Sequence, residues 1–97
     1  MKLTDKKLKK FLALIDEEIV IADGLSYAFI GLTRNNGHIV CVYSTHLIVA
    51  ELMKNDLMSQ EDAEEYIQFN ICDAYVGERT PLFLDFVPIE VIANESK

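Results

Sequence analysis

The residues best suited to chemistry are two histidines and two cysteines. His38, Cys41 and His46 fall within nine residues, with Cys72 far along the chain. Zinc needs four such ligands converging at about 2.0–2.3 Å. No Cys-x-x-Cys pair is present, and a strand over 39–43 would leave His38 in a turn and His46 on the next helix. The spacing therefore points to no metal, and Cys41 and Cys72 read as reduced, buried, small apolar residues. Cys41 with His46 as nucleophile and base would need an exposed thiol in electropositive surroundings. Val40-Cys41-Val42 in an acidic chain is the opposite setting. Asp23 could partner Glu51 or Glu65 in general acid–base work, but Asp23-Gly24 reads first as a plain turn pair and the helix acids as solvated. With no Gly-rich phosphate loop and no His-Glu-x-x-His, the expectation is a protein that is not an enzyme and uses no cofactor.

Two polar features remain. Asn70 lies on the apolar stripe of its predicted helix, where a buried amide must find partners. Either it ties the helix to the backbone of Asp23-Gly24 or Gly77–Thr80, or it lines a small-ligand pocket with Asp23, Tyr66 and Tyr75. The stretch from Gln60 to Glu78 carries Glu61, Asp62, Glu64, Glu65, Asp73 and Glu78 against no base. Such a face is either simply solvated or copies the charge spacing of a nucleic-acid backbone and occupies a basic groove on a partner protein.

Composition frames both features. The chain has 97 residues, 51% of them apolar and 26% charged, as in a soluble globular domain. A net charge of -7 argues against direct nucleic-acid binding, which needs a basic face. The charge is uneven: five Lys and one Asp make the first ten residues basic, ahead of a strongly acidic body. That leader is either a solvated helix turn or a handle that meets an acidic surface on another copy. No run approaches the roughly 18 apolar residues of a membrane span. Phe11 to Ile15 is too short for a signal-peptide core, so the setting expected is cytoplasmic.

The elements follow from periodicity. Leu8, Phe11, Leu12 and Ile15 predict a helix over 3–15, with Thr4 or Asp5 as N-cap. Ile19 to Ala22 is a β-branched run that predicts a strand or an extended approach. Tyr27–Thr33 and Ile39–Tyr43 flank Asn35-Asn36-Gly37, the signal of a hairpin. Phe29 is placed on one side of it and Ala28, Ile30 and Leu32 on the other. Gly31 mid-strand suggests a bulge or a close neighbour. Ser44-Thr45 caps a helix to about Lys54, with Leu47, Ile48, Val49 and Leu52 inward. Ser59-x-x-Asp62 starts another over 59–76, lined inside by Ala63, Ile67, Asn70, Ile71 and Ala74 and ended by Gly77. Pro81 to Val87 is the last strand.

The fold class expected is α+β: a small antiparallel sheet centred on the hairpin, helices packed on one face, in the order α-β-β-β-α-α-β. It forms one domain over 1–97, with a basic helix in 1–18, a core over 19–87 and a tail over 88–97. Two apolar hairpin faces on a modest core also fit a homodimer.

Several segments carry a resemblance: Asp23-Gly24 with Ala28-Phe29-Ile30-Gly31-Leu32, Met58-Ser59-Gln60-Glu61-Asp62-Ala63-Glu64-Glu65-Tyr66 with Phe69-Asn70, and Ala74-Tyr75-Val76-Gly77-Glu78 with Thr80-Pro81. Over about residues 19–84 the chain resembles a set of small uncharacterised proteins of tailed phages and prophages. It departs from them at Leu57, where they carry Gly before the Met-Ser/Thr cap, so the turn there should differ. The resemblance implies no catalytic residues. It implies a setting: an accessory phage protein in the host cytoplasm, binding and inhibiting a host defence or nucleic-acid-handling protein that has a basic surface.

Overall fold

The computed structural model describes residues 2–72, 77–88, 90 and 93, apart from the side chain of Cys72. Helix α1 spans Asp5–Ala13 and starts at Thr4, whose hydroxyl oxygen accepts the Lys7 amide at 3.2 Å. Leu8 and Leu12, one turn apart, form its buried face. The helix stops before Ile15 because the Leu14 amide turns back to the Phe11 carbonyl at 3.1 Å, a tight final turn.

Residues 19–22 form no strand, which corrects the expected order. Ile19, Ile21 and Ala22, each partly buried, still pack against the core without joining a ladder. Its backbone finds a side chain instead: the Ala22 amide donates to the Tyr43 hydroxyl at 2.9 Å. The order of elements is α-β-β-α-α-β, with one turn of 3-10 helix at Ser26–Ala28.

Strands β1 (Phe29–Asn35) and β2 (His38–Ser44) form the predicted antiparallel hairpin. Its loop is Asn36-Gly37, with φ of 52° and 82°. Positive φ at both positions gives a turn whose twist matches the strands. A bulge falls between Phe29 and Gly31, where the register shifts. The extra residue, Ile30, reverses the alternation that follows it. Phe29 opposite Tyr43 and Leu32 opposite Cys41 therefore share one face, not two as expected. That face meets the core: Cys41 and Tyr43 are fully buried, and Phe29 and Leu32 pack on them. Phe29 meets the Tyr43 ring edge-on at a centroid distance of 5.9 Å.

The third strand, β3 (Leu82–Leu84), pairs with β2 in parallel, so the sheet is mixed and not purely antiparallel. Two helices intervene between β2 and β3, and a crossover of that length brings the chain back to the same end of the sheet. Phe83 stacks on Tyr43 with centroids 5.8 Å apart. The strand is shorter than the predicted 81–87 because Thr45 draws the chain away. Its hydroxyl donates to the Leu84 carbonyl at 3.1 Å and to the Asp85 carboxylate.

The result is an α+β fold with a three-stranded sheet, order β1-β2-β3, and helices packed on one face. Helix α2 (Thr45–Asn55) is capped by Ser44 and buries Ile48. Leu47, expected inward, is exposed, because it lies about 100° round the helix from Ile48. Beyond Asp56, Leu57 adopts φ of 55° and turns the chain toward α3.

Candidate functional site

Helix α3 (Gln60–Ile67) begins at Ser59, whose hydroxyl accepts the Asp62 amide at 3.1 Å as the capping pattern required. Ala63 and Ile67 are its buried residues. Helical geometry then turns Glu61, Asp62 and Glu65 outward, and all three are exposed. Glu64 is exposed on the flank, where it accepts from Gln60 Nε2 at 3.2 Å. Past Ile67 the chain continues as a π-helical turn over Gln68–Cys72, which carries Phe69 out to 70% exposure. Asp62, Glu65, Tyr66 and Phe69, with Met58 and Asn70, line a shallow groove of about 340 Å³.

The other expected site residues are dispersed. Asn70 is exposed, and its amide donates to the Tyr66 carbonyl one turn back at 3.2 Å. It is therefore neither a buried tie to a distant loop nor a buried pocket ligand; the widened turn rotates it off the apolar stripe. Glu78 belongs to the turn after Gly77, not to the α3 face, and sits 2.9 Å from His38 Nε2 at the start of β2. Asp23 is exposed and lines neither this groove nor the cleft described next. The Asp23-Gly24 turn is held instead by Asp5 of α1. The Asp5 carboxylate accepts the Gly24 amide at 2.8 Å and the Ser26 hydroxyl. These bonds, Ser26 foremost, hold the Asp5 carboxyl below its ordinary range. Of the described residues expected in a ligand pocket, Asp23, Tyr66 and Asn70, only Tyr66 and Asn70 come together. Asp73 and Tyr75 lie outside the described residues.

A larger cleft of about 490 Å³ opens on the other flank of α3, between it, α2 and the chain leaving β3. Val49, Met53, Ile67, Phe83 and Phe86 give it apolar walls, and Glu64 and Asp85 are its carboxylates. Phe69, Phe86 and Asp85 are not among the site residues expected from the sequence. Phe69 had a legible signal: it follows Glu65 by four residues and so falls on the same helix face. Asp85 and Phe86 had none, since their position depends on the bonds to Thr45.

Cys41 is fully buried, and burial pushes its thiol up to about 11, the reverse of an activated nucleophile. Among the described residues no three His, Cys, Asp or Glu side chains come together to hold a metal ion. The ion pairs of the described residues join Arg79 to Asp16 and Glu18 at 3.1 Å each, and His38 to Glu78. The α3 carboxylates take part in none of them. The architecture places the chain in the α+β class. It matches no protein-family model, no curated protein and no solved structure. No helix of the described residues is long and apolar enough to cross a membrane.

Proposed function

We propose that this chain is an accessory interaction protein that presents the outward face of α3 to a partner protein with a basic groove and blocks it. One observation carries the reading: Asp62 and Glu65 border a groove whose aromatic residues, Tyr66 and Phe69, are 41% and 70% exposed. A helix face that is merely solvated keeps its aromatics inward. Acidic side chains around exposed aromatic anchors are instead the composition of an interface, with charge steering the encounter and rings supplying contact area. Glu61 extends the negative patch by one more exposed carboxylate.

The phage-type resemblance supplies the class of partner: a host defence or nucleic-acid-handling protein of the cytoplasm, whose groove is basic because its substrate is a polyanion. On this reading the chain acts by occupancy and performs no reaction of its own.

The test is affinity capture from a host extract at low salt, followed by titration of the captured protein in purified form. Binding should weaken steeply with salt, and Glu65→Lys and Phe69→Ser should each reduce affinity at least tenfold. Glu17→Lys, on an exposed residue remote in sequence from α3, serves as the charge control. A partner that binds Glu65→Lys and Phe69→Ser as well as it binds the unaltered chain would refute this assignment.

A further inference from the structure

We propose that α1 of one copy docks into the cleft between α2 and α3 of a second copy, and the second copy's α1 into the first's, closing a two-fold dimer. The two surfaces are complementary, and both carry exposed apolar side chains on the same chain. Helix α1 is fixed to its own core by Leu8 and Leu12, which leaves its outer side rigidly displayed. That side carries Phe11 at 58% exposure and Leu14 at 83%, beside exposed Lys6 and Lys10 one turn apart.

The cleft offers the matching chemistry. Its walls are Val49, Met53 and Phe86, the last 72% exposed, and its carboxylates are Glu64 and Asp85. Among the described residues no Lys or Arg lines it. Asp85 is held in place by the Thr45 hydroxyl, so one of the two charges is preset. An amphipathic helix laid in an apolar groove, with opposite charges at the edges, is a recurrent mode of recognition. The basic leader and the acidic body make a second copy the occupant that the charge distribution favours. Two-fold closure repeats the contact, toward the roughly 1,200–2,000 Å² that stable interfaces bury. The dimer uses the Glu64 flank of α3 and leaves Asp62, Glu65 and Phe69 open, so it stands independently of the function proposed above and would make that surface bivalent.

Sedimentation equilibrium of the full chain across a concentration and salt series tests the proposal. A dimer is expected at low salt, with its dissociation constant rising tenfold or more at high salt. Phe11→Glu should leave monomer. Lys10→Glu and Glu64→Lys should each weaken the dimer about tenfold, and the double variant should recover it. All three positions are exposed, and circular dichroism checks that each variant is folded. Glu65→Lys should dimerise normally, which separates failure here from failure of the α3 interface. A chain monomeric at every concentration, a dimer indifferent to Phe11→Glu, or a double variant without recovery would overturn the proposal. So would a monomer whose cleft takes up a synthetic Lys-Leu helical peptide, since the groove would then belong to a basic helix of another protein.

Discussion

The hydroxyl of Tyr43, at the centre of the core, accepts the backbone amide of Ala22 at 2.9 Å. One side chain thereby fixes the irregular segment before the hairpin, while its ring packs between Phe29 and Phe83. Tyr43→Phe keeps the ring contacts and strands the Ala22 amide. It should cost about 1–2 kcal/mol, the penalty for a donor left unpaired out of water. Urea denaturation measures this, and a variant as stable as the unaltered chain would show that water replaces the phenol.

Alkaline pH should loosen the same core. Burial pushes the Cys41 thiol from an ordinary 9.0 up to about 11, and raises the Tyr43 phenol above its ordinary 10.0. Above about pH 9 the unfolded chain therefore loses protons that the native chain retains. Stability is fully present below that point and falls as pH rises through the native values. Urea midpoints should be level from neutrality to about pH 9 and then decline. A flat profile through pH 11 would contradict the assigned burial.

The parts of this architecture legible in the sequence are those governed by nearby residues. Asn36-Gly37 dictates its own turn, and the hydroxyls of Thr4, Ser44 and Ser59 each cap a helix three residues on. The acidic outer face of α3 follows from the same spacing that buries Ala63 and Ile67. What was not legible depends on distant partners. The run Ile19–Ala22 has strand composition, but its amide at Ala22 is claimed by a phenol 21 residues away. The bulge was signalled by Gly31, yet which residue would be extra, and hence which face Leu32 joins, depended on pairing with β2. The parallel entry of β3 rests on a crossover that no local pattern encodes. Asn70 was misplaced because a π-helical turn shifts the phase of every residue after it.

Leu57 adopts φ of 55° and is 87% exposed. A left-handed conformation costs a residue with a Cβ roughly 1–2 kcal/mol, part of which glycine returns through its freer unfolded chain. Leu57→Gly should therefore stabilise the protein by about 0.5–1 kcal/mol, since no buried contact is lost. Thermal denaturation should show a higher midpoint. A lower one would mean that Leu57 makes contacts worth more than its strain.

Asp5 ties α1 to the 22–26 loop through Gly24 and Ser26. Because these bonds lower its pKa below 3.8, the stability they add is present above that value and is lost as pH falls through the native one. Asp5 is only partly buried, so the global effect should be small. The local effect should not be. Asp5→Ala should speed hydrogen exchange at the Gly24 amide, with Asp5→Asn intermediate because it keeps one acceptor. Unchanged exchange at Gly24 in Asp5→Ala would show that the turn holds itself.

Arg79 joins parts of the chain that are distant in sequence. Its two terminal nitrogens each lie 3.1 Å from a carboxylate, Asp16 on one side and Glu18 on the other, so the turn after Gly77 is pinned to the segment leaving α1. A guanidinium spans both acids at once, whereas a lysine ammonium must choose one. Arg79→Lys should therefore lose most of what Arg79→Met loses, about 0.5–1 kcal/mol, because the pair is partly exposed. Removing Arg79 also leaves Asp16, Glu17 and Glu18 uncompensated, so the loss should be greatest at low salt and shrink as salt screens their repulsion. Denaturation of the three proteins at low and high salt separates the outcomes. A lysine variant as stable as the arginine protein would show that net charge, not the fork, holds this turn in place.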